Sequence, residues 1–195
     1  MDLSRLLGEG GGMTPFYQPN PVVILAIDPA VVSGWALRVC GVLASSGKTE
    51  TPDEMNAVVK LAYRTAEKFR RPLVVVYEKW NPHGKWSHDA KMGAAKSVGK
   101  WELLVEMLPR RKPTTKTVTV LADEWRKRMY GFCRKPKGET FNWKAYAVRT
   151  AQCLDPRSPP PAEHNEAEAR LISGWASFSE QVGKVLPKRV RERGV

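Results

Sequence analysis

Two short apolar runs, each closed by an acid, constrain this chain more than any other feature. The first, VVILAID, runs from Val22 to Asp28, and the second, PLVVVYE, from Pro72 to Glu78. Both are continuous and rich in β-branched residues, the pattern of a central strand buried on both faces. A sheet dry on both sides needs helices on both sides, so the runs call for an α/β layer architecture. Each acid stands where such a strand ends. A charge there is costly without a partner, and open α/β sheets build their sites at strand ends.

The segments between fill in the layers. After a turn at Pro29–Ser33, GWALRVCGVLASSG reads as two further strands, antiparallel to the first. Thr51-Pro52-Asp53-Glu54 is a capping box with proline at the first helical position. Met55, Val58, Val59, Ala62, Ala66 and Phe69 then share one helical face. A polar loop from Lys79 to Asp89 leads into a long helix over about 90–108. KPTTKTVTVLA carries a strand, ADEWRKRMYG a short helix, and CRKPKGET a basic loop. FNWKAYAVRTAQCL is helical, with Trp143, Ala147 and Ala151 on one side. DPRSPPPAE is too rich in proline to be helical throughout. HNEAEARLISGWASF is the last core helix. The expected fold is α/β, a mixed five-stranded sheet flanked by helices. Residues 1–21, with Gly8, Gly10–Gly12 and three prolines, read as a flexible arm. Residues 22–180 form the domain, and 181–195 a basic tail carrying Lys188, Arg189, Arg191 and Arg193.

The 195 residues carry a formal charge of +12, which points to a polyanionic partner because neutralised phosphates release their counterions. A basic surface kept for solubility is the plainer alternative. The three cysteines, Cys40, Cys133 and Cys153, form no Cys-x-x-Cys pair. That argues against a disulfide framework or zinc knuckle and for a reducing compartment. No apolar run reaches membrane-spanning length, and the first residues lack the apolar stretch of a secretory signal. The expected location is the cytoplasm.

If the Asp28 and Glu78 strands are neighbours, two carboxylates meet at one sheet edge. They repel unless a cation lies between them, and hard divalent ions such as magnesium favour oxygen ligands. The bland alternatives are a turn aspartate capping its own backbone and a glutamate paired with Lys79, Lys85 or Lys91. The closing helix begins His164-Asn165-Glu166-Ala167-Glu168. His164, Asn165 and Glu168 share a face, and Glu166 points elsewhere. Acids in a first turn also suit the helix dipole, which explains Glu163 and Glu166 better than Glu168. Three carboxylates from two strands and a late helix could hold two metal ions for in-line phosphodiester hydrolysis. His164 is a candidate ligand or proton acceptor, or an ordinary surface histidine.

These segments resemble the RuvC-type Holliday junction resolvases of the RNase H-like superfamily. ILAIDPAVVSGWAL is similar to the family's first-strand motif, LVVVYEKW to its second acidic strand, and MGAAKSVGKWELL to its glycine-containing helix. TVTVLADEWRKRMYG with NWKAYAVRTAQ resembles its third block, and EHNEAEARLIS its closing acidic helix. The blocks occur in family order over roughly residues 22–177. The resemblance implies an RNase H-like fold and a homodimer that nicks four-way DNA junctions symmetrically. It also implies Mg²⁺ dependence, with Mn²⁺ as a substitute, and four acidic ligands. Asp28 and Glu78 match the first two. In the closing helix, where the family has two acids or His then Asp, this chain has Asn165 and Glu168. The fourth ligand is therefore open among Asn165, His164 and Glu166. Ala30 also replaces a usual glycine, and the divergence suggests a phage-type member.

Branched DNA needs contacts beyond the acids. Trp80 and Trp86, set among Lys79, Lys85 and His88, suit bases exposed at an opened junction. The family wedges junctions with an aromatic from this loop. Packing against the sheet edge is the alternative for either tryptophan. Lys96, Lys100, Lys144 and Arg149 are candidate phosphate contacts, and the helix over 90–108 is the candidate dimer interface by resemblance. Two other readings stand beside a junction resolvase. One is an RNase H-like nuclease on a hybrid or other branched substrate. The other is a non-catalytic nucleic-acid-binding protein of the same fold.

Overall fold

The computed structural model describes residues 19–79, 87–109, 113–130 and 142–186. The strands are β1 (Val23–Asp28), β2 (Ser33–Val39), β3 (Val42–Thr49), β4 (Leu73–Lys79) and β5 (Thr115–Leu121). The helices are α1 (Pro52–Phe69), α2 (His88–Glu106), α3 (Ala122–Met129), α4 (Trp143–Leu154), α5 (His164–Ser177) and α6 (Glu180–Val185). The sheet order is β3-β2-β1-β4-β5. β1, β2 and β3 are joined antiparallel, and β1, β4 and β5 run parallel. This is the mixed five-stranded sheet flanked by helices that the sequence predicts.

Strand alternation divides the core into two layers. Val22, Ile24 and Ala26 join Val74, Val76, Val118 and Val120 on one face, covered by Trp125, Ala147, Leu171, Ile172 and Trp175 of α3, α4 and α5. Val23, Leu25, Ile27, Leu73, Val75 and Tyr77 face the other way, against Met55, Val59 and Ala62 of α1 and Trp101 of α2. Full burial of one such side chain contributes about 1.5–3 kcal/mol. β1 and β4 contribute to both layers, which is why their sequences are apolar without alternation.

Local chemistry sets the ends of the elements. The Thr51–Glu54 capping box forms as the sequence predicts, and α1 stops at Arg70 in the left-handed conformation. The β2–β3 hairpin turns on Cys40 and Gly41, both at positive φ, the pairing whose twist suits adjacent strands. Ser33 accepts from the Trp101 indole at 3.2 Å and shares a 2.8 Å hydrogen bond with Ser97, so α2 grips the turn that follows Asp28.

Packed structure continues on both sides of residues 22–180. Helix α6 runs through Val185, and Val182 and Leu186 are buried in the core. Ser179 caps this helix, accepting from Gln181 N, and apolar residues at 182, 185 and 186 give it an inner face. At the other end, Asn20 donates from its side chain to Ala176 O and Ser179 O and from its backbone to Ser177 O. It thereby ties the chain entering β1 to the end of α5 and to the cap residue of α6. The rest of the expected arm, residues 1–18, and residues 187–195 of the tail lie outside the described residues. Among the described residues no helix is long and apolar enough to cross a membrane.

Candidate functional site

Strand parity puts the first two acids together. Asp28 continues the series Val22, Ile24, Ala26, and Glu78 the series Val74, Val76, so both project to the α5 side of the sheet. β1 and β4 are neighbours in parallel register, with Ile27 opposite Tyr77. One residue further along each strand stand Asp28 and Glu78.

The third acid depends on a glycine. Gly34 is opposite Asp28 across the β1–β2 ladder. A Cβ at Gly34 would run into the backbone carbonyl of Asn165 and the amide of Glu166. Only glycine lets the first turn of α5 lie directly on the strand. The Asn165 side chain then donates to Val32 O at 2.6 Å and pins the helix start to the turn after β1. Glu168, one turn in, comes down beside the strand ends. One carboxylate oxygen from each of Asp28, Glu78 and Glu168 lies within 4.8 Å of the others.

Helix α3 supplies the surroundings. The buried indole of Trp125 donates to Glu78 Oε2 at 2.8 Å. Arg126 lies 3.2 Å from Glu168 Oε1 and 3.7 Å from Glu78 Oε1, with its guanidinium over the Trp125 ring. The Tyr130 hydroxyl donates to Glu168 Oε1 at 3.3 Å. These groups do not fully offset the crowding. Burial raises the Glu78 pKa to about 7, with Glu168 adding to the shift and Arg126 and Trp125 opposing it. Asp28 is raised well above the ordinary aspartate range, first by burial and then by the charges of Glu168 and Glu78. A pocket with three carboxylates and one guanidinium has anion in excess. Its hard oxygen donors suit a divalent cation of the magnesium class. The cleft above it, about 450 Å³, is lined by Asp28, Glu78, Glu168, Arg126, Lys144, His164 and Asn165, with Pro29 and Ala30.

The structure thus gathers Asp28, Glu78 and Glu168 and puts His164, Asn165 and Lys144 at the same cleft. It does not bring Glu166 there. Glu166 receives hydrogen bonds from Arg170 and Ser46 at 2.7 Å and from Ala162 N at 2.9 Å. Two helical positions from Glu168, it faces away from the acid cluster. Lys79, Lys96, Lys100 and Arg149 are exposed and do not line the cleft. Trp80, Lys85 and Trp86 fall outside the described residues. Sequence reasoning missed Trp125, Arg126 and Tyr130. They sit on the helix that follows β5, the strand beside β4, and the β4–β5 register brings that helix to the same sheet end as Glu78.

No protein-family model matches this chain, and no curated protein does. Solved structures do. Thermus thermophilus RuvC in complex with a Holliday junction substrate matches at TM-score 0.54 and 12% identity, over 83% of this chain and 96% of that one. A second Thermus thermophilus RuvC structure matches at TM-score 0.52 and 14% identity, over 83% and 97%. The yeast mitochondrial Holliday junction resolvase Ydc2 matches at TM-score 0.43 and 12% identity, over 93% and 87%. The fold is similar to that of the two Thermus thermophilus RuvC structures.

Proposed function

We propose that this protein is a magnesium-dependent Holliday junction resolving endonuclease that acts as a homodimer. The observation that carries the reading is the convergence of Asp28, Glu78 and Glu168 at one sheet end of a RuvC-like fold. A charge of +12 supports a DNA substrate.

Asp28, Glu78 and Glu168 would hold the metal, with Asn165 and His164 the remaining candidates for that shell. When bound, magnesium supplies Lewis-acid activation of water and stabilisation of the leaving 3′ oxygen; manganese can substitute. The chain's own groups prepare the site. Trp125 and Tyr130 fix the orientation of Glu78 and Glu168. Arg126 moderates their repulsion until the pocket is filled. Lys144 faces the cleft, where a phosphate would meet a positive charge. His164 lines the same cleft, where its imidazole could accept a proton from an attacking water. Exposed lysines on α2 would add affinity without sequence preference, and Trp80 or Trp86 would contact opened bases. Twofold substrate symmetry calls for two such sites.

A binding protein without cleavage is the second reading. Asn165 stands where a carboxylate is expected and is tied to Val32, and Arg126 already supplies a cation to the pocket. The test is cleavage of four-way junctions, RNA–DNA hybrids and single strands with Mg²⁺ or Mn²⁺. Symmetric nicking of the junction, lost in Asp28→Asn while binding persists, is expected. Tight junction binding with no cleavage in either metal would establish the second reading instead.

A further inference from the structure

The sequence groups Trp143 with Ala147 and Ala151 on one apolar face. The structure separates them: both alanines are fully buried, whereas Trp143 is 58% exposed. Its position is fixed nonetheless. Asn142 caps α4, its side-chain oxygen accepting from Lys144 N and Ala145 N, so Trp143 is the first helical residue. Its indole lies 5.6 Å from the Tyr130 ring, and Tyr130 lies 5.1 Å from Tyr146 and 5.7 Å from Trp125. The Tyr146 hydroxyl donates to Tyr130 O at 2.7 Å. The inner members of this row touch the acids, Trp125 through Glu78 and Tyr130 through Glu168. Trp143 is the most exposed of these four rings, and the residue beside it, Lys144, lines the cleft.

We propose that Trp143 is a stacking platform for one unpaired DNA base next to the phosphate held over the acid cluster. A rigidly placed, solvent-facing indole beside a lysine is the arrangement that binds single-stranded nucleic acid without sequence preference. The row explains why this tryptophan is held at the surface rather than folded into the core. The inference rests on the nuclease reading in taking DNA as the occupant of the cleft, and it assigns a contact that reading did not include.

The test compares Trp143→Leu and Trp143→Phe in an Asp28→Asn background, so that the junction is bound but not cut. Binding in Mg²⁺ is measured on a four-way junction and on a set of junctions carrying single abasic sites near the centre. Leu is expected to weaken binding roughly tenfold, and Phe by no more than about threefold. At one abasic position the parent should lose the same factor and Leu lose nothing further. Equal affinity of Leu and parent on the intact junction overturns the proposal. So does a Leu deficit unchanged at every abasic position, or a Leu variant altered only in its oligomeric state by sedimentation. If the parent shows no preference for junction over duplex, the junction reading fails. The same abasic comparison on a single-stranded oligonucleotide then decides the stacking platform.

Discussion

Two buried clusters of charge lie along helix α5, and they are built on opposite plans. On one side Glu166 pairs with Arg170 at 2.7 Å, and Arg38 pairs with Asp155 at 2.5 Å. Ser173 links them, accepting from Arg38 Nε and donating to Arg170 O. Each anion there has its own cation, and burial is outweighed for Glu166 by bonds from Ser46, Ala162 N and Arg170, which lower its pKa. On the other side Asp28, Glu78 and Glu168 crowd together, and Glu78 and Glu168 share the single guanidinium of Arg126. The carboxyls of Asp28 and Glu78 are pushed the opposite way, Asp28 well up and Glu78 to about 7. A balanced cluster holds helix to sheet. An unbalanced one leaves an unmet demand for positive charge, and that demand marks a functional site.

The largest effect that can break this contrast is on cleavage. Asp28→Asn removes a proposed metal ligand and should lower junction cleavage by about a thousandfold or more, roughly 4 kcal/mol in the barrier. Calorimetric titration should show metal binding lost with it. The fold should survive, because the substitution also removes a repelled buried charge. Undiminished cleavage would remove the acid cluster from the chemistry. The reverse outcome is expected on the balanced side. Arg38→Met leaves Asp155 buried without its partner and should cost about 3 kcal/mol in urea denaturation. A change under 1 kcal/mol would show that the Arg38–Asp155 pair is not what ties β2 to α4 and α5.

pH should separate the clusters next. In the unfolded chain these carboxyls titrate near ordinary values, about 4. Between there and about 7 the metal-free folded protein keeps a proton on Glu78 that the unfolded chain has lost. Stability should therefore fall as pH rises through this window and level off above it, by at most about 3 kcal/mol for Glu78. Glu166, whose pKa is lowered, has the opposite sign: its contribution is present above the unfolded value and disappears as the pH drops through the folded one. Melting temperatures from pH 5 to 8, in chelator and then in Mg²⁺, read out the Glu78 contribution. The chelated protein should lose stability with rising pH and the Mg²⁺ form should not. A chelated protein that gains stability across that range contradicts the unbalanced pocket.

Much of this was legible in the sequence because it depends on strand parity. Asp28 and Glu78 each end an apolar run, and two central parallel strands leave one face on which both can project. Glu168 followed from helical spacing with Asn165 and His164. Arg126 was not legible, since a basic helix after a strand normally faces solvent and only the β4–β5 register turns this one inward. The side that Glu166 faces is not legible either, because His164, Asn165, Glu166 and Glu168 crowd the first turns of α5. Its true partners, Ser46 and Arg170, are decided by which side of α5 faces β3. Gly34 drew no notice as the contact that seats α5, because a glycine in a strand reads first as a weak spot.

The smallest effect bears most directly on which acids belong to the site. Glu166→Gln keeps the size of the side chain and weakens the bonds to Arg170, Ser46 and Ala162 N. The group is buried and the retained amide can still accept hydrogen bonds, so the expected loss is about 1 kcal/mol of stability. Cleavage should stay within about threefold of the parent, because Glu166 and Glu168 face different sides of the helix. Glu168→Gln, made alongside it, should abolish cleavage with no comparable loss of stability. If Glu166→Gln instead stops cleavage while the melting temperature is unchanged, Glu166 belongs with the metal ligands. The balanced cluster would then be part of the active site rather than its support.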